Sequence, residues 1–217
     1  MMGVKVKFCG LFRDEDAAYA NEVRPDFVGL VFHSQSHRYV DDAAARRLRG
    51  LIDAEIPIVG VFVDDSLPHI RSLVADGTVQ VVQLHGHETE GQVSALRRAL
   101  PGIQVWKAFR VRDAGSLEMA RSSSADRVLL DNGQGTGASF DWSLVEGFPP
   151  GFILAGGLSL DNLAEAIGRL DPWAVDMSSG IETDRVKDLG KMRAVIRLVR
   201  GEGRACDRGI GSPDDAR

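Results

Sequence analysis

Residues 4–32 read VKVKFCGLFRDEDAAYANEVRPDFVGLVF, a strand, a helix and a second strand in direct succession. Val4, Val6 and Phe8 alternate with Lys5, Lys7 and Cys9, which is the period-2 pattern of an extended segment whose two faces meet different surroundings. From Asp14 to Val23 the pattern is helical, with Asp14 placed to cap the first turn, and Pro25 falls where the helix must already have ended. Phe27 to Phe32 is a short apolar run, the form taken by a parallel strand buried on both faces.

The same unit recurs along the chain. Further strands are expected at Ile58 to Val63, Val79 to Leu84, Ile103 to Phe109, Arg127 to Asp131, Phe152 to Leu154 and Ala174 to Met177. Counted from Cys9, successive strand ends are separated by 23, 31, 21, 25, 22, 23 and 23 residues, about one strand, one crossover helix and two short loops each time. A leucine-rich solenoid has a similar period. The intervening segments argue against it, because they lack a recurring leucine and asparagine frame and carry helical patterns at Asp41 to Leu51, Leu67 to Val74, Glu90 to Leu100, Leu117 to Arg121, Leu160 to Leu170 and Asp188 to Arg200. Phe140 to Val145, with Asp141 as its cap, supplies only a turn of helix. Asp41 and Ser159 are further cap candidates, and Pro57, Pro101 and Pro172 lie on the return to the next strand. Eight strands alternating with helices predict an α/β chain, a single-domain (β/α)8 TIM barrel over residues 1–200, with a flexible C-terminal tail at 201–217.

Composition sets the outer limits. With 217 residues, 44% of them hydrophobic, the chain suffices for one substantial core. Its 31 acidic and 26 basic residues are interspersed and leave a net charge of -5, so no broad basic face is offered to nucleic acid. The two cysteines, Cys9 and Cys206, make no disulfide framework, and no long apolar run suggests a signal peptide or membrane span. These features predict a cytoplasmic protein acting on a small molecule, without nucleic-acid or membrane partners.

In a barrel of this kind the loops after the strands form the reactive face, so the strand map becomes a site list. Cys9 ends the first strand and shares the parity of Lys5 and Lys7, which points it toward the barrel interior. There Lys7 is placed to favour a thiolate, although a small buried hydrophobe is an equal reading of Cys9. Asp131 closes an apolar strand abruptly: it is either a proton donor with a raised pKa or the start of a turn with Asn132 and Gly133. Gly156 and Gly157 after the seventh strand, with Ser178, Ser179 and Gly180 after the eighth, form a candidate phosphate cradle. Arg38 suits a substrate carboxylate or a salt bridge to Asp41 or Asp42. His33 follows the second strand, His85 the fourth, and Lys107 lies near the end of the fifth. His33, His37, His69, His85 and His87 lack metal-ligand spacing, so loop polarity or substrate contact is the better reading of His85 and His87. Gly-Gln-Gly-Thr-Gly at 133–137 lacks a GK[ST] ending and is read as a mobile active-site loop. Trp106, Trp142 and Trp173 read as packing residues.

These fragments together resemble the phosphoribosylanthranilate isomerase family of tryptophan biosynthesis. The resemblance rests on KFCG at 7–10, SHRY at 36–39, QLHG at 83–86, LLD at 129–131, GTGASFDW at 135–142, LAGGL at 154–158, VDMSSGIE at 175–182 and KD at 187–188. It covers about residues 4 to 200 and implies an Amadori rearrangement that needs no metal or other cofactor. By resemblance, Asp131 is the general acid and Cys9 the general base, while Arg38, His85 and Lys7 contact the substrate. Gly156, Gly157, Ser178, Ser179 and Gly180 would hold the phosphate, in a monomer or homodimer. The chain departs from the family pattern in the short stretch 132–135 before Thr136, and in Asp184, Arg185 and Val186 where Pro-Gly usually precedes the KD pair. A related barrel isomerase for an aminoimidazole substrate would be expected to carry paired aspartates at strands 1 and 5, where this chain has Cys9 and Lys107.

Overall fold

Alternation of side chains decides how the strands are buried, and two separate apolar clusters show the result. Val6, Phe8, Val28, Leu30, Ile58, Phe62, Val82, Val105, Leu130, Leu154 and Val175 pack outward against the helices. Val59, Val81, Trp106, Leu129, Ile153 and Ala174 point the other way into a second cluster, joined by Phe27 and Trp173. The two sets interleave along each strand, so the second cluster is the filled interior of a closed sheet. Phe27 packs edge-on to Trp106, with ring centroids 5.1 Å apart, and Trp106 is edge-on to Trp173 at 5.8 Å.

The computed structural model describes residues 3–131 and 142–201. Its order is β1 (Lys5–Cys9), α1 (Asp14–Val23), β2 (Phe27–Val31), α2 (Asp42–Leu51), β3 (Ile58–Phe62), α3 (Leu67–Ala75), β4 (Val81–Leu84), α4 (Glu90–Ala99), β5 (Gln104–Arg110), α5 (Ala114–Arg121) and β6 (Arg127–Asp131). The chain continues with β7 (Ile153–Leu154), α6 (Leu163–Leu170), β8 (Ala174–Met177), β9 (Glu182–Thr183), β10 (Val186–Lys187) and α7 (Leu189–Arg200). Strands β1 to β8 pair in parallel with their sequence neighbours, and β8 returns to β1 to close the barrel. The expected (β/α)8 architecture is therefore present, and none of the described helices is long and apolar enough to cross a membrane.

Several helix starts differ from expectation for local reasons. Asp41 accepts from the Ala44 amide as predicted. Asp14 instead pairs with Arg47, and buried Asp16 takes the amides of Phe12 and Arg13. Ser159 does not cap α6; the Asn162 side chain folds back onto the Ser159 amide. Helix α5 begins earlier than its apolar pattern suggests because Asp113 caps it through the Ser116 amide. A turn of 3-10 helix at Trp142–Leu144 is what the sixth crossover shows, while Phe140, Asp141, the 133–137 segment, Cys206 and the rest of the expected tail lie outside the described residues. The β9–β10 hairpin was not anticipated; its two turn residues, Asp184 and Arg185, both have positive φ, 51° and 66°, the geometry of a tight two-residue hairpin turn.

His69 on α3 ties two crossovers together. Its ring contacts Asp65 at 2.7 Å and Asp42 of α2 at 2.9 Å. Burial opposes charging of the ring, but the two carboxylates prevail and raise its pKa. A raised folded-state pKa gives stability that is complete below the unfolded histidine value of about 6.5 and fades as pH rises through the folded value. Urea denaturation of wild type and His69→Gln should show the largest stability gap below pH 6 and a narrowing gap toward pH 9; a gap that widens with pH would contradict this assignment.

Candidate active site

The C-terminal ends of the strands surround a cavity of about 720 Å³. Cys9 from β1, Asp131 from β6 and His85 after β4 line it together with Arg38, Gly156, Gly157, Ser178 and Ser179. A neighbouring cavity of about 840 Å³ over β4–β6 shares His85 and Asp131 and brings Phe109, Arg110 and Arg112 to its wall. Residues predicted from strand ends thus meet at one mouth, although they follow six different strands of the eight.

Cys9 has the inward parity expected of it, and Lys7, one inward step below it, is completely buried. The sequence expectation for Lys7 is corrected on two points. Lys7 does not border the cavity, because its ammonium is held 2.8 Å from the Asp176 carboxylate. The Cys9 thiol, moreover, is pushed up rather than down: burial is the largest cause, and the charge of Asp176 adds to it against the opposing pull of Lys7 and Lys187. Asp176, inward-facing on β8, was missed by the sequence reading, since a lone aspartate within an apolar strand gives no sign of its partner. Its Oδ1 is buried without a hydrogen-bond partner among the described residues.

Asp131 faces the mouth with its side chain 21% exposed, and His85 Nε2 lies 3.5 Å from its Oδ2. The other imidazole nitrogen of His85 accepts from the Gln83 amide at 2.9 Å, so inward-facing Gln83 orients the ring. Lys107 has the opposite parity. It is turned outward to Glu88 at 2.7 Å and to the Gly86 carbonyl at 2.8 Å, where it braces the loop that carries His85. The inward neighbour on β5 is Ala108, so no acidic residue of that strand faces Cys9.

Gly156 and Gly157 adopt positive φ of 86° and 66°, a backbone path that side chains disfavour. Ser179–Ile181 forms a turn of 3-10 helix after β8. Gly180 supports the cradle rather than lining it: a Cβ there would sit 1.9 Å from the Leu158 carbonyl oxygen, so the two loops can meet only through glycine. Ser178 donates its hydroxyl to the Cys9 carbonyl at 2.9 Å, joining the ends of β8 and β1.

Arg38 pairs with neither Asp41 nor Asp42. Its Nε and Nη2 both reach Glu182, each at 2.7 Å, and its Nη1 makes no hydrogen bond to the described residues. Lys187 donates to the same carboxylate at 2.6 Å, so the hairpin that the sequence did not reveal places a second cation behind Arg38. Arg185, at the tip of that hairpin, also reaches the cavity wall. Burial would raise the Glu182 pKa, but Arg38 and Lys187 outweigh it and bring it down to about 2.

The match to known proteins spans nearly the whole barrel. The family profile described as N-(5'phosphoribosyl)anthranilate (PRA) isomerase matches residues 6–197. An N-(5'-phosphoribosyl)anthranilate isomerase of Endomicrobium trichonymphae is 41% identical over 201 residues, covering 90% of this chain and 98% of the relative. The crystal structure of phosphoribosyl anthranilate isomerase from Thermus thermophilus superposes with a TM-score of 0.81 at 31% identity, over 92% of this chain and 100% of that one. A second structure, of the isomerase in complex with reduced 1-(o-carboxyphenylamino)-1-deoxyribulose 5-phosphate, superposes with a TM-score of 0.79 at 33% identity, over 91% and 99% of the two chains.

Depressing the Glu182 pKa makes its ion pairs a source of stability that is present above the unfolded carboxylate range and lost as pH falls toward about 2. Glu182→Gln leaves Arg38 and Lys187 without a counter-charge and should cost on the order of 3 kcal/mol at neutral pH. Chemical denaturation should show that gap closing as pH falls from about 4.5 to 2; an unchanged gap would refute the assignment.

Proposed function

The chain belongs to the N-(5'-phosphoribosyl)anthranilate isomerase family, and from that premise we propose how the mouth of its barrel carries out the reaction. The protein isomerises N-(5'-phosphoribosyl)anthranilate to 1-(2-carboxyphenylamino)-1-deoxyribulose 5-phosphate, a step of tryptophan biosynthesis. The observation that carries the assignment of roles is the meeting of Cys9 and Asp131, from opposite parts of the strand order, in one cavity walled by Gly156, Gly157, Ser178 and Ser179.

Asp131 acts as the general acid. It gives a proton to the furanose ring oxygen as the C1–O bond breaks, and the anthranilate nitrogen lone pair forms the iminium. Cys9, as thiolate, then removes the proton from C2, and the electron pair flows into the C1–C2 bond to give an enolamine that tautomerises to the ketone. The substrate nitrogen serves as the electron sink. The Gly156–Gly157 and Ser178–Ser179 loops hold the phosphate, with Arg185 adding positive charge at the rim, and Arg38 engages the anthranilate carboxylate through the guanidinium edge that Glu182 leaves unused. Fixing both ends of the ligand restricts rotation about the reacting carbons and presents C2 to the sulfur. His85 contacts the substrate beside Asp131 and steadies that carboxyl.

We assign the protein to the cytoplasm on its two isolated cysteines; none of the described helices is long and apolar enough to cross a membrane. We infer a monomer, because the large exposed apolar residues among those described, Tyr39, Leu51, Leu67, Met119, Leu144 and Leu198, lie on different elements. Sedimentation velocity checks the second point: a concentration-independent species near 23.5 kDa is expected, and a dimer peak would overturn it.

General acid or base groups contribute about 10²- to 10⁴-fold each. Loss of substrate fluorescence should therefore be slowed at least about 100-fold in kcat by Cys9→Ala and by Asp131→Asn, with circular dichroism unchanged. Full turnover in either variant would remove that residue from its role.

A further inference from the structure

Cys9 presents a difficulty for the mechanism, which rests on the family reading above: its base must be a thiolate, yet the half-buried sulfur at the cavity wall has its pKa pushed up toward the thiol. The nearest cation is not free to help. Lys7 Nζ is engaged 2.8 Å from Asp176 Oδ2, with the lysine side chain 0% and the aspartate side chain 7% exposed, so the contact is almost fully desolvated. The same ammonium also faces the sulfur. Both atoms border the space over Gly29 of β2, where a Cβ would meet Cys9 Sγ at 2.7 Å and Lys7 Nζ at 3.2 Å. One cation therefore stands between a carboxylate and a thiol, and Asp176 itself borders the cavity, its Oδ1 lacking a hydrogen-bond partner among the described residues.

We propose that Asp176 and Lys7 are positioning residues that set the strength of the Cys9 base, with Asp176 holding the Lys7 ammonium in competition with the sulfur. Counting charges gives the direction. With Asp176 ionised and Lys7 protonated the buried group is neutral, and ionising Cys9 leaves it at minus one. Without the carboxylate the group starts at plus one, and loss of the thiol proton makes it neutral, which is the less costly change in a desolvated site. The proton leaves sulfur in preference to the lysine because a thiol is the stronger acid, with ordinary values of about 8.5 against about 10.4. A sugar hydroxyl donating to Asp176 draws on the same carboxylate charge, so ligand binding moves the balance in the same sense and strengthens the base only when substrate is present. The other charged group facing the sulfur is Lys187 of β10, already committed to Glu182; β2 contributes only glycine at this level.

The test reads the thiol directly, without substrate. In the full chain carrying Cys206→Ser, the Cys9 thiolate is followed by its absorbance near 240 nm and by the pH dependence of iodoacetamide alkylation. Asp176→Asn should lower the thiol pKa by about one unit or more, and Lys7→Met should raise it by a similar amount. The double variant should fall between the two. If both single substitutions move the thiol in the same direction, or leave it unmoved in folded protein, the proposal is overturned. Should Asp176→Asn fail to fold, Lys7→Met decides alone, since an unshifted thiol in that variant removes Lys7 from any role at the sulfur. If the variants show these shifts but the wild-type chain does not convert the anthranilate substrate, the family reaction is refuted and the charge coupling at Cys9 stands.

Discussion

Pairing of β8 with β1 is the constraint on which the rest of the molecule depends. An open sheet would leave two strands with unpaired backbone groups and would separate the first and last loops by the full width of the sheet. Closure sets Lys7 opposite Asp176 in the register, and an inward parity shared by both strands turns their side chains toward each other. It also brings the Ser178 hydroxyl onto the Cys9 carbonyl. Cys9 and the Ser178–Ser179 loop are consequently parts of one seam, not two loops that must find each other.

Charge is distributed along that seam in two buried sets. Below the cavity Lys7 and Asp176 neutralise each other, and at its rim Arg38 and Lys187 share Glu182. Buried ions of this kind contribute little net stability compared with apolar packing of equal volume, because desolvation offsets most of the attraction. What they supply is orientation. Arg38 is clamped along one edge, so its remaining donor has a defined direction, and the Lys7 ammonium is confined to a small space between sulfur and carboxylate. On the far side of the mouth, Gln83 sets the imidazole of His85 beside Asp131. Cys9 and Asp131 therefore sit in different surroundings, Cys9 against buried charge and Asp131 against a histidine and a partly open wall.

Glycine makes two of these approaches possible. Gly29 leaves room for the sulfur and the ammonium to share a space that any side chain would fill, and Gly180 allows the loop after β8 to rest on the Leu158 carbonyl. Neither role was visible from the residue alone, since a glycine in a strand or after one reads equally as a turn or a bulge.

Periodicity by itself determined the barrel. Strand ends recurring at nearly constant spacing, with apolar and polar residues alternating in β1, were sufficient to place Cys9, Asp131, Gly156, Gly157, Ser178 and Ser179 around one mouth, because strand direction and parity are local properties of the chain. Partners of the charged residues were a different matter. Arg38 was read against Asp41 and Asp42, its neighbours in sequence, but finds Glu182, 144 positions away; Lys7 finds Asp176 at a separation of 169. Lys107 was read only as lying near the end of strand 5; it borders the second cavity there, with its ammonium held by Glu88. Ion pairing and desolvation depend on distances across the closed barrel, and those distances exist only after β8 has met β1. For that reason the sign of the shift at Cys9, upward where the nearby lysine suggested downward, was settled by tertiary structure alone.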